Sequence, residues 1–291
     1  MKGVLAVSIE IKGLTKQYGE TTALDNVTLK FENNKIYGLL GRNGAGKSTL
    51  LNIITNRIFT TSGEVLVDGE NVRENDRAIS KIYLMSEKTL YPGDMRINNV
   101  FKWSKKFYPD FDEKRAFELA ELFELNTNKK VKQLSTGFTS IFKLIVALCV
   151  NTPYIFLDEP VLGLDANNRE LFYKLLIEKY SEEPFTVVIS THLIEEISTL
   201  IEQAIIIESG KILVNTSREE LLQSGYSVSG KAVDVDNYIS GKEIIGEDTL
   251  GGLKTADVMG KPQADMPESL EVTALDLQKL FVKLTNAKEG K

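Results

Sequence analysis

Residues 41–48 have the residue types and the spacing of a phosphate-binding loop. They read Gly-Arg-Asn-Gly-Ala-Gly-Lys-Ser and match the pattern G-x-x-x-x-G-K-[ST]. Glycines in such a loop allow a tight turn, so that bare backbone N–H groups can approach phosphate oxygens. Lys47 would add a full charge near the β- and γ-phosphates of a nucleotide, and Ser48 would offer a hydroxyl to Mg²⁺. The residues that we expect to hold the phosphates are Gly41, Asn43, Gly44, Ala45, Gly46, Lys47, Ser48 and Thr49.

Two carboxylates follow a short apolar run much further along the chain. Residues 154–157 are Tyr-Ile-Phe-Leu, and Asp158 and Glu159 come next. A strand that ends there would bring Asp158 to the Mg²⁺ side of the phosphate site, and Glu159 could orient an attacking water. Alone, an acidic pair after a strand is also typical of a helix cap or a turn. The phosphate-binding pattern upstream favours the functional interpretation.

Hydrophobic patterning predicts the elements that position these groups. Residues 36–40 form a short apolar run, typical of a strand buried on both faces, and residues 48–54 then predict a helix whose positive end faces the phosphates. A change to helical character from about residue 92 to residue 151 indicates a helical subdomain. We also predict strands over 9–11, 27–31, 63–68, 154–157 and 186–190, a hairpin over 204–208 and 211–214, helices over 114–125, 138–150, 169–180 and 269–285, and a glycine-rich α/β appendage over 225–262.

Composition excludes several classes of protein. The 291 residues carry 35 basic and 41 acidic side chains, a net charge of −6, which argues against a basic surface that binds nucleic acid. One cysteine, Cys149, and one histidine, His192, exclude an internal disulfide and any site that needs two histidines. No apolar run approaches the roughly 20 residues of a membrane-spanning helix. We therefore expect a cytosolic protein, or one that another component holds at a membrane.

The motifs, taken in order, resemble those of the ATP-binding cassette (ABC) ATPases as far as about residue 215. Residues 134–138, Leu-Ser-Thr-Gly-Phe, look like that family's signature motif, and residues 163–165 are similar to its dimer-contact loop. His192 follows a predicted strand, like the family's histidine that touches the γ-phosphate, and Tyr18 is placed like the aromatic that stacks on adenine. The order of motifs separates the chain from coiled-coil ATPases of DNA repair, because their long heptad arms are missing.

The resemblance implies an α/β fold, the ABC ATPase type of P-loop NTPase, with an antiparallel β portion and a helical subdomain over about residues 88–150. This domain would span residues 1–216, and a small C-terminal α/β domain with an accessory or regulatory role would span residues 217–291. The resemblance further implies a homodimer that binds two ATP molecules and Mg²⁺ head to tail. A separate transmembrane permease would hold the dimer at the cytoplasmic face of the cell membrane, with membrane contact only through that permease and no nucleic-acid partner.

The same resemblance implies a role for each matching residue. Glu159 would orient the water, His192 would support the γ-phosphate, and Lys47 would assist as the third catalytic residue. Tyr18 would stack on adenine. Ser135 and Gly137 would complete the site of the partner protomer, and Asp165, in the dimer-contact-like loop, would be a further nucleotide-binding residue. Ser48 and Asp158 would place Mg²⁺.

Two departures from the family's pattern put efficient hydrolysis in question. Thr136 stands at the first signature glycine, and Phe138 replaces a polar residue. Ser86 stands where the family usually has a glutamine that helps to hold Mg²⁺ and reports to the permease. Serine is too short to reach the ion except through water, Glu87 is the other candidate ligand, and the position could also be vacant. We expect low basal turnover and loose coupling to the permease.

Residues 83–88, 134–143 and 157–165 look like the Ytr-type and Pmt-type ATPases of Gram-positive exporters. That subgroup implies export of amphipathic, membrane-active peptides such as phenol-soluble modulins. The aromatics of residues 101–108, which include Trp103, are either partly buried in the helical subdomain or line a groove for a helix of the permease.

Two other functions stay open at this point. One is a soluble ABC protein without a permease, acting in cofactor assembly or on the ribosome, although ribosome-acting members usually carry two cassettes. The other is a regulatory subunit that senses nucleotide and hardly hydrolyses it. The sequence leaves open the cargo, the direction of transport and whether two identical ATPases serve one permease.

Overall fold

Three β-sheets organise the residues that the computed structural model describes, which are 8–263, 266–267 and 269–286. The strands are β1 (Ser8–Tyr18), β2 (Thr21–Glu32), β3 (Ile36–Leu40), β4 (Ser62–Val67), β5 (Glu70–Asn71), β6 (Ile82–Met85), β7 (Tyr154–Asp158), β8 (Thr186–Thr191), β9 (Gln203–Glu208), β10 (Lys211–Ser217), β11 (Gly225–Lys231), β12 (Ile244–Leu250), β13 (Leu253–Met259) and β14 (Glu271–Ala274). The helices are α1 (Lys47–Ile54), α2 (Asp76–Ile79), α3 (Ile97–Phe107), α4 (Glu113–Leu122), α5 (Thr136–Cys149), α6 (Ala166–Glu182), α7 (Ile194–Ile197), α8 (Arg218–Leu222), α9 (Ala232–Ile239) and α10 (Leu277–Asn286), with a 3₁₀ turn over Val131–Gln133.

The central sheet has the strand order β10-β9-β3-β8-β7-β6. Strands β9, β3, β8, β7 and β6 run parallel, and β10 closes one edge as the antiparallel partner of β9. The predicted strand over residues 36–40 is confirmed, and β3, β7 and β8 are buried along their whole length, as parallel strands covered on both faces must be. Because β3 and β7 are parallel members of one sheet, the phosphate loop, which follows β3, and Asp158, the last residue of β7, lie at the same edge.

The antiparallel β portion is a second sheet of order β2-β1-β4-β5. It packs on the face of the central sheet that also carries α1. The core between the two sheets contains Phe31 of β2, Leu39 of β3, Leu50 of α1 and Phe156 of β7. The rings of Phe31 and Phe156 meet edge to face with their centroids 5.7 Å apart, which packs the two sheets against each other.

The opposite face of the central sheet is covered by helices α3 to α6. Their apolar side chains form one core with the sheet. Each of the four helices contributes to this core, for example through Phe101, Leu119, Phe142 and Phe172. Helix α5 is buried from Ser140 to Cys149, so the predicted helical subdomain is packed around it. In the part of the chain that the structure describes, no helix is long and apolar enough to cross a bilayer.

The C-terminal residues form a small antiparallel sheet of order β12-β13-β11-β14 with helix α9 against it. The helix predicted over residues 269–285 is wrong in its first part, because Glu271–Ala274 is strand β14, paired with β11. Alternation around Val272 suits that edge pairing, and helix α10 starts only after Asp276, whose side chain accepts the backbone N–H of Gln278. Helix α10 contacts β12 of the small sheet and also packs against α7 of the main core.

Candidate active site

The phosphate loop needs its glycines for two different physical reasons. Gly44 and Gly46 have φ values of +85° and +110°, in the left-handed region that disfavours other residues. A Cβ atom on Gly46 would lie 2.7 Å from the carbonyl oxygen of Ala23, and one on Gly41 would lie 2.6 Å from that of Ile207. The loop therefore lies in close contact with β2 and β9 at the start of α1.

Lys47 is the first residue of α1 and is only 6% exposed. Its Nζ donates hydrogen bonds to the carbonyl oxygens of Gly41, at 2.6 Å, and of Arg42, at 3.3 Å. It lies 3.6 Å from the Oε1 atom of Glu159. No acidic residue occupies the first turn of α1, so its positive end is not neutralised locally. A positive helix end and a buried ammonium group converge on one loop, which suits a phosphate group.

Asp158 ends strand β7 and is buried. Its Oδ1 atom accepts a hydrogen bond of 2.9 Å from the hydroxyl of Ser190, which lies next to it on β8. Burial raises the pKa of Asp158, while the hydroxyls of Ser48 and Ser190 and the charge of Lys47 act in the opposite direction. A carboxylate beside the Ser48 hydroxyl is a set of hard oxygen donors, the kind that Mg²⁺ prefers, so these residues fit the ion.

Glu159 is held by three side chains and by a strained backbone. Its φ is +47°, and its N–H donates to the carbonyl oxygen of Ser190 at 2.8 Å. Its Oε2 atom accepts the hydroxyl of Thr191 at 3.1 Å, and its Oε1 atom lies 3.0 Å from Nδ1 of His192. The structure thus brings together Lys47, Glu159 and His192, which the sequence predicted as the catalytic residues. Thr191 was missed as a partner, because only the position of β8 beside β7 brings it near.

Ser86 and Glu87 follow strand β6 and are engaged by two cations that sequence reasoning did not assign. Arg57 donates to the hydroxyl of Ser86 and, at 3.2 Å, to the carbonyl oxygen of Leu84. Lys143 donates to the carbonyl oxygens of Ser86, at 3.0 Å, and of Glu87, at 2.7 Å. Lys143 interrupts the apolar run of α5, and this interruption was the only feature of the sequence that could have indicated its role.

The surroundings of Lys143 shift its pKa in two opposite directions. Burial lowers the pKa of Lys143, while the negative charges of Glu87 and Asp158 raise it. The side chain of Glu87 is exposed. Over the described residues, three or more His, Cys, Asp or Glu side chains nowhere come together as a metal-binding group. A role for Ser86 or Glu87 at Mg²⁺ therefore stays a prediction.

The signature-like segment and the dimer-contact-like loop lie side by side. Ser135 caps α5 by accepting the N–H of Phe138 at 3.3 Å, and a Cβ on Gly137 would lie 3.1 Å from the carbonyl oxygen of Gly163. Asp165 caps α6 by accepting the backbone N–H of Asn168 at 2.9 Å and its side-chain amide at 2.8 Å. These bonds lower the pKa of Asp165. Contribution of these residues to a partner's site stays a prediction.

Tyr18 ends strand β1 with its side chain half exposed. The Nζ atom of Lys16 lies 4.8 Å from the centroid of its ring. An exposed aromatic at this place leaves room for a stacked base, and this role also stays a prediction.

A cavity of about 780 Å³ lies elsewhere in the molecule. It is lined by Asn151, Lys179 and Phe185 among other residues, at the edge where β7 and β8 begin. The phosphate loop follows the carboxyl end of β3, so this cavity belongs to the opposite edge of the sheet.

Comparison with known proteins agrees with this geometry. The model of the ABC transporter family matches residues 24–162. The ABC transporter ATP-binding protein YtrB of Bacillus subtilis (strain 168) is 29% identical over 235 residues, which cover 81% of this chain and 80% of YtrB. The lantibiotic transport ATP-binding protein SrtF of Streptococcus pyogenes is 32% identical over 210 residues, which cover 71% of this chain and 89% of SrtF.

A solved structure supports the same assignment. The dimeric structure of an ATP-binding cassette in a post-hydrolysis state, bound to ADP and Pi, superimposes with a TM-score of 0.64 at 28% identity. The match covers 72% of this chain and 98% of that cassette. ABC cassettes bind ATP, form dimers and work with membrane permeases. With the phosphate loop, the acidic pair and the histidine loop assembled at one sheet edge, this chain belongs to the family of ABC transporter ATP-binding proteins and is an ABC-type ATPase.

Proposed function

We propose that this chain is the ATP-hydrolysing subunit of an ABC exporter, acts as a homodimer, and powers a separate transmembrane permease for amphipathic, membrane-active peptides. The observation that carries the enzymatic part is the carboxylate of Glu159, which is 10% exposed and lies between Lys47, Thr191 and His192 beside Asp158. Peptide export is supported by the name of SrtF, a lantibiotic transport protein. The ATPase domain is proposed to span residues 1–216 and the accessory domain residues 217–291.

The chemistry follows from the side chains at this edge of the sheet. The N–H groups of residues 41–48 and the ammonium of Lys47 would hold the phosphates, with Lys47 exchanging its loop carbonyls for phosphate oxygens. Glu159 would orient the attacking water and accept its proton. His192 would contact both Glu159 and the γ-phosphate and so fix their relative positions. Ser48 and Asp158 would hold Mg²⁺, which when bound neutralises charge on the β- and γ-phosphates.

A second copy of the chain would complete each site. Ser135, Gly137 and Asp165 are proposed to approach the nucleotide of the partner protomer, and Tyr18 to stack on the adenine of its own. Support comes from the side-by-side placement of the two segments and from the exposure of Phe138 and of Leu162 next to them. The solved dimeric cassette is a precedent for such pairing.

The permease is proposed to dock on helix α3, which would place this chain at the cytoplasmic face of the membrane. Trp103 is 45% and Phe107 is 72% exposed, and their rings stack with centroids 6.2 Å apart. The Nζ atom of Lys106 lies 4.3 Å from the Trp103 ring. Exposed aromatics beside a cation are typical of a protein interface.

The test combines this chain with the multi-span membrane protein that we expect in the neighbouring open reading frame. Both are reconstituted in vesicles with the ATPase outside and a fluorescent amphipathic peptide supplied there. We expect ATP-dependent movement of the peptide into the vesicles, which corresponds to export from a cell.

Two variants make this test specific. Glu159→Gln should abolish peptide transport, while the pair Trp103→Ala and Phe107→Ala should keep basal ATPase activity and lose transport. Movement of the peptide in the other direction would contradict export. Full transport by the Glu159→Gln variant would contradict the assignment of the catalytic carboxylate.

A further inference from the structure

One short segment of the chain, residues 84–87, is held from two sides by cations. Lys143 of α5 is 6% exposed and donates to the carbonyl oxygens of Ser86 and Glu87 at 3.0 and 2.7 Å. Arg57, which follows α1, donates to the hydroxyl of Ser86 and to the carbonyl oxygen of Leu84. The two hydrogen bonds from Lys143 go to main-chain atoms, so they do not depend on the side chains at residues 86 and 87.

Lys143 lies on α5 and Arg57 lies three residues beyond the end of α1, and both helices begin at phosphate-binding motifs. Helix α1 begins with Lys47 of the phosphate loop, and α5 is capped by Ser135 of the signature-like segment. Two turns of rigid helix separate Ser135 from Lys143. A displacement of α5 would therefore be transmitted through Lys143 to the segment that follows β6, which is the strand beside β7 and Asp158.

Physical chemistry argues against a purely structural reason for this lysine. Its neighbours on α5, from Ile141 to Cys149, are buried apolar residues, and a methionine or leucine would pack there without the cost of burying a charge. Among the residues that the structure describes, no carboxylate lies within ion-pair distance of Lys143, so its charge is compensated mainly by carbonyl dipoles. These carbonyl groups can stabilise the buried charge of Lys143 only while residues 86–87 stay in place. The same two hydrogen bonds therefore hold the segment in position.

We propose that Lys143 is a positioning residue for ATP hydrolysis, which ties the signature-like helix α5 to the main chain of Ser86 and Glu87 beside the Mg²⁺ side of the phosphate site. Lys143 itself touches neither nucleotide nor metal. This inference rests on the proposed roles of Asp158 and of the start of α5 in nucleotide binding. It adds a link between the phosphate site of one protomer and the signature-like helix that is proposed to complete the partner's site, and this link does not need the usual glutamine.

The test uses the full chain and three variants. Lys143→Met keeps the length of the side chain and removes its charge and donors, and Lys143→Arg keeps a cation. Lys179→Met is the matched control, because Lys179 also donates to carbonyl oxygens at α5, those of Leu148 and Val150, but at the opposite edge of the sheet. The readouts are backbone hydrogen exchange of residues 84–89, ATP affinity without Mg²⁺, and kcat and KM with Mg²⁺.

We expect Lys143→Met to speed hydrogen exchange in residues 84–89 by about tenfold or more, since local opening would no longer break those two hydrogen bonds. ATP affinity without Mg²⁺ and KM should stay within about twofold, while kcat falls about tenfold. Lys143→Arg keeps a cation, so it should recover most of the slow hydrogen exchange and most of the kcat of the unchanged chain. Lys179→Met should lower the melting temperature and leave the exchange of residues 84–89 unchanged.

Several outcomes would overturn the proposal. Unchanged exchange of residues 84–89 in Lys143→Met would show that the lysine does not hold the segment. A parallel fall of ATP affinity, kcat and melting temperature, equal to that of Lys179→Met, would show a structural role only. If Lys143→Met does not fold, Lys143→Gln replaces it, with smaller effects expected in the same directions. The exchange measurement needs no hydrolysis, so an error in the role of Glu159 would not be mistaken for an error in the role of Lys143.

Discussion

At the scale of single residues, two glycines of the phosphate loop differ in what a methyl group would meet. Both have positive φ, but a Cβ on Gly44 meets no atom within 4 Å, whereas one on Gly46 would lie 2.7 Å from the carbonyl oxygen of Ala23. Gly44→Ala should cost about 1–3 kcal/mol of backbone strain and weaken ATP binding moderately. Gly46→Ala should abolish ATP binding, because the loop must also move away from β2. Binding of a fluorescent ATP analogue measures both, and equal losses would contradict the steric argument.

The carboxylate of Glu159 is the candidate general base. Glu159→Gln keeps its size and removes its charge, so we expect turnover to fall about 10²–10⁴-fold with ATP binding retained. ATP should also accumulate in a stable dimer, detectable by light scattering. Glu170→Gln, an exposed position on α6, is the control and should keep normal turnover. Unchanged turnover of Glu159→Gln would remove this residue from the mechanism.

Ser86 gives a third prediction at this scale, because its hydroxyl is already bonded to Arg57. We expect low basal turnover that Ser86→Gln leaves unchanged or raises. Glu87→Ala should lower turnover only if its carboxylate replaces the missing amide at Mg²⁺. Both variants are assayed with the permease present. A large loss of turnover in Ser86→Gln with intact nucleotide binding would show that the serine has a role of its own.

At the scale of elements, Asp68 fastens the antiparallel sheet to the central sheet. It lies in the turn between β4 and β5, and its carboxylate accepts the hydroxyl of Tyr154 on β7 at 2.6 Å and the ammonium of Lys81 at 2.7 Å. Partial burial raises the pKa of Asp68, but the hydrogen bonds from Lys81 and Tyr154 outweigh it, and the net pKa is below the ordinary value. Stability from this carboxylate is therefore present above the pKa of the unfolded chain and lost as the pH falls through the lower pKa of the folded chain.

Asp68→Asn tests this link, since asparagine tolerates the positive φ of 51° at this turn. The free energy of unfolding should drop by about 1–3 kcal/mol at pH 7. The difference from the unchanged chain should shrink as the pH falls below about 4. Asp236→Asn, which removes an exposed partner of Lys254, should cost clearly less stability than Asp68→Asn. Urea titrations at several pH values measure both, and a difference that persists at pH 2 would contradict the charge argument.

At the scale of the whole molecule, the C-terminal residues are joined to the ATPase core by α10. Leu277, Leu280 and Phe281 are buried in the same core as Ile194 and Ile197 of α7, the helix that follows His192. Residues beyond 217 contain none of the phosphate-site motifs, so we expect them to regulate or dimerise the enzyme and not to catalyse.

A chain that ends at Arg218 should therefore still bind ATP, although it should be less stable because α7 loses its cover. Leu280→Ala is the milder variant and should cost about 2–5 kcal/mol of stability with ATP affinity retained. Thermal melting and nucleotide binding measure the two effects. A folded chain ending at Arg218 that has lost all nucleotide binding would show that this division of roles is wrong.

How far the sequence alone predicted the site differs from residue to residue. The loop over residues 41–48, the strand β3 before it and the helix α1 after it were predicted, because glycine content and apolar patterning act within a few residues. The meeting of Glu159 with the phosphate loop was expected from the two motifs together, whereas that of His192 was expected only through the family resemblance. Thr191, Arg57 and Lys143 were not found, because each meets its partner only after elements distant in sequence have packed.

The amino-acid sequence by itself therefore determined the local elements, the phosphate-binding chemistry and the ATPase family of this protein. The tertiary structure decided which remote side chains share one sheet edge, that Ser86 is held by two cations, and that residues 271–274 pair as strand β14 while α10 joins the main core. The reason is the range of the forces involved. Turn strain and amphipathic periodicity are set by neighbouring residues, whereas strand pairing and the partners of buried polar groups depend on how whole elements pack.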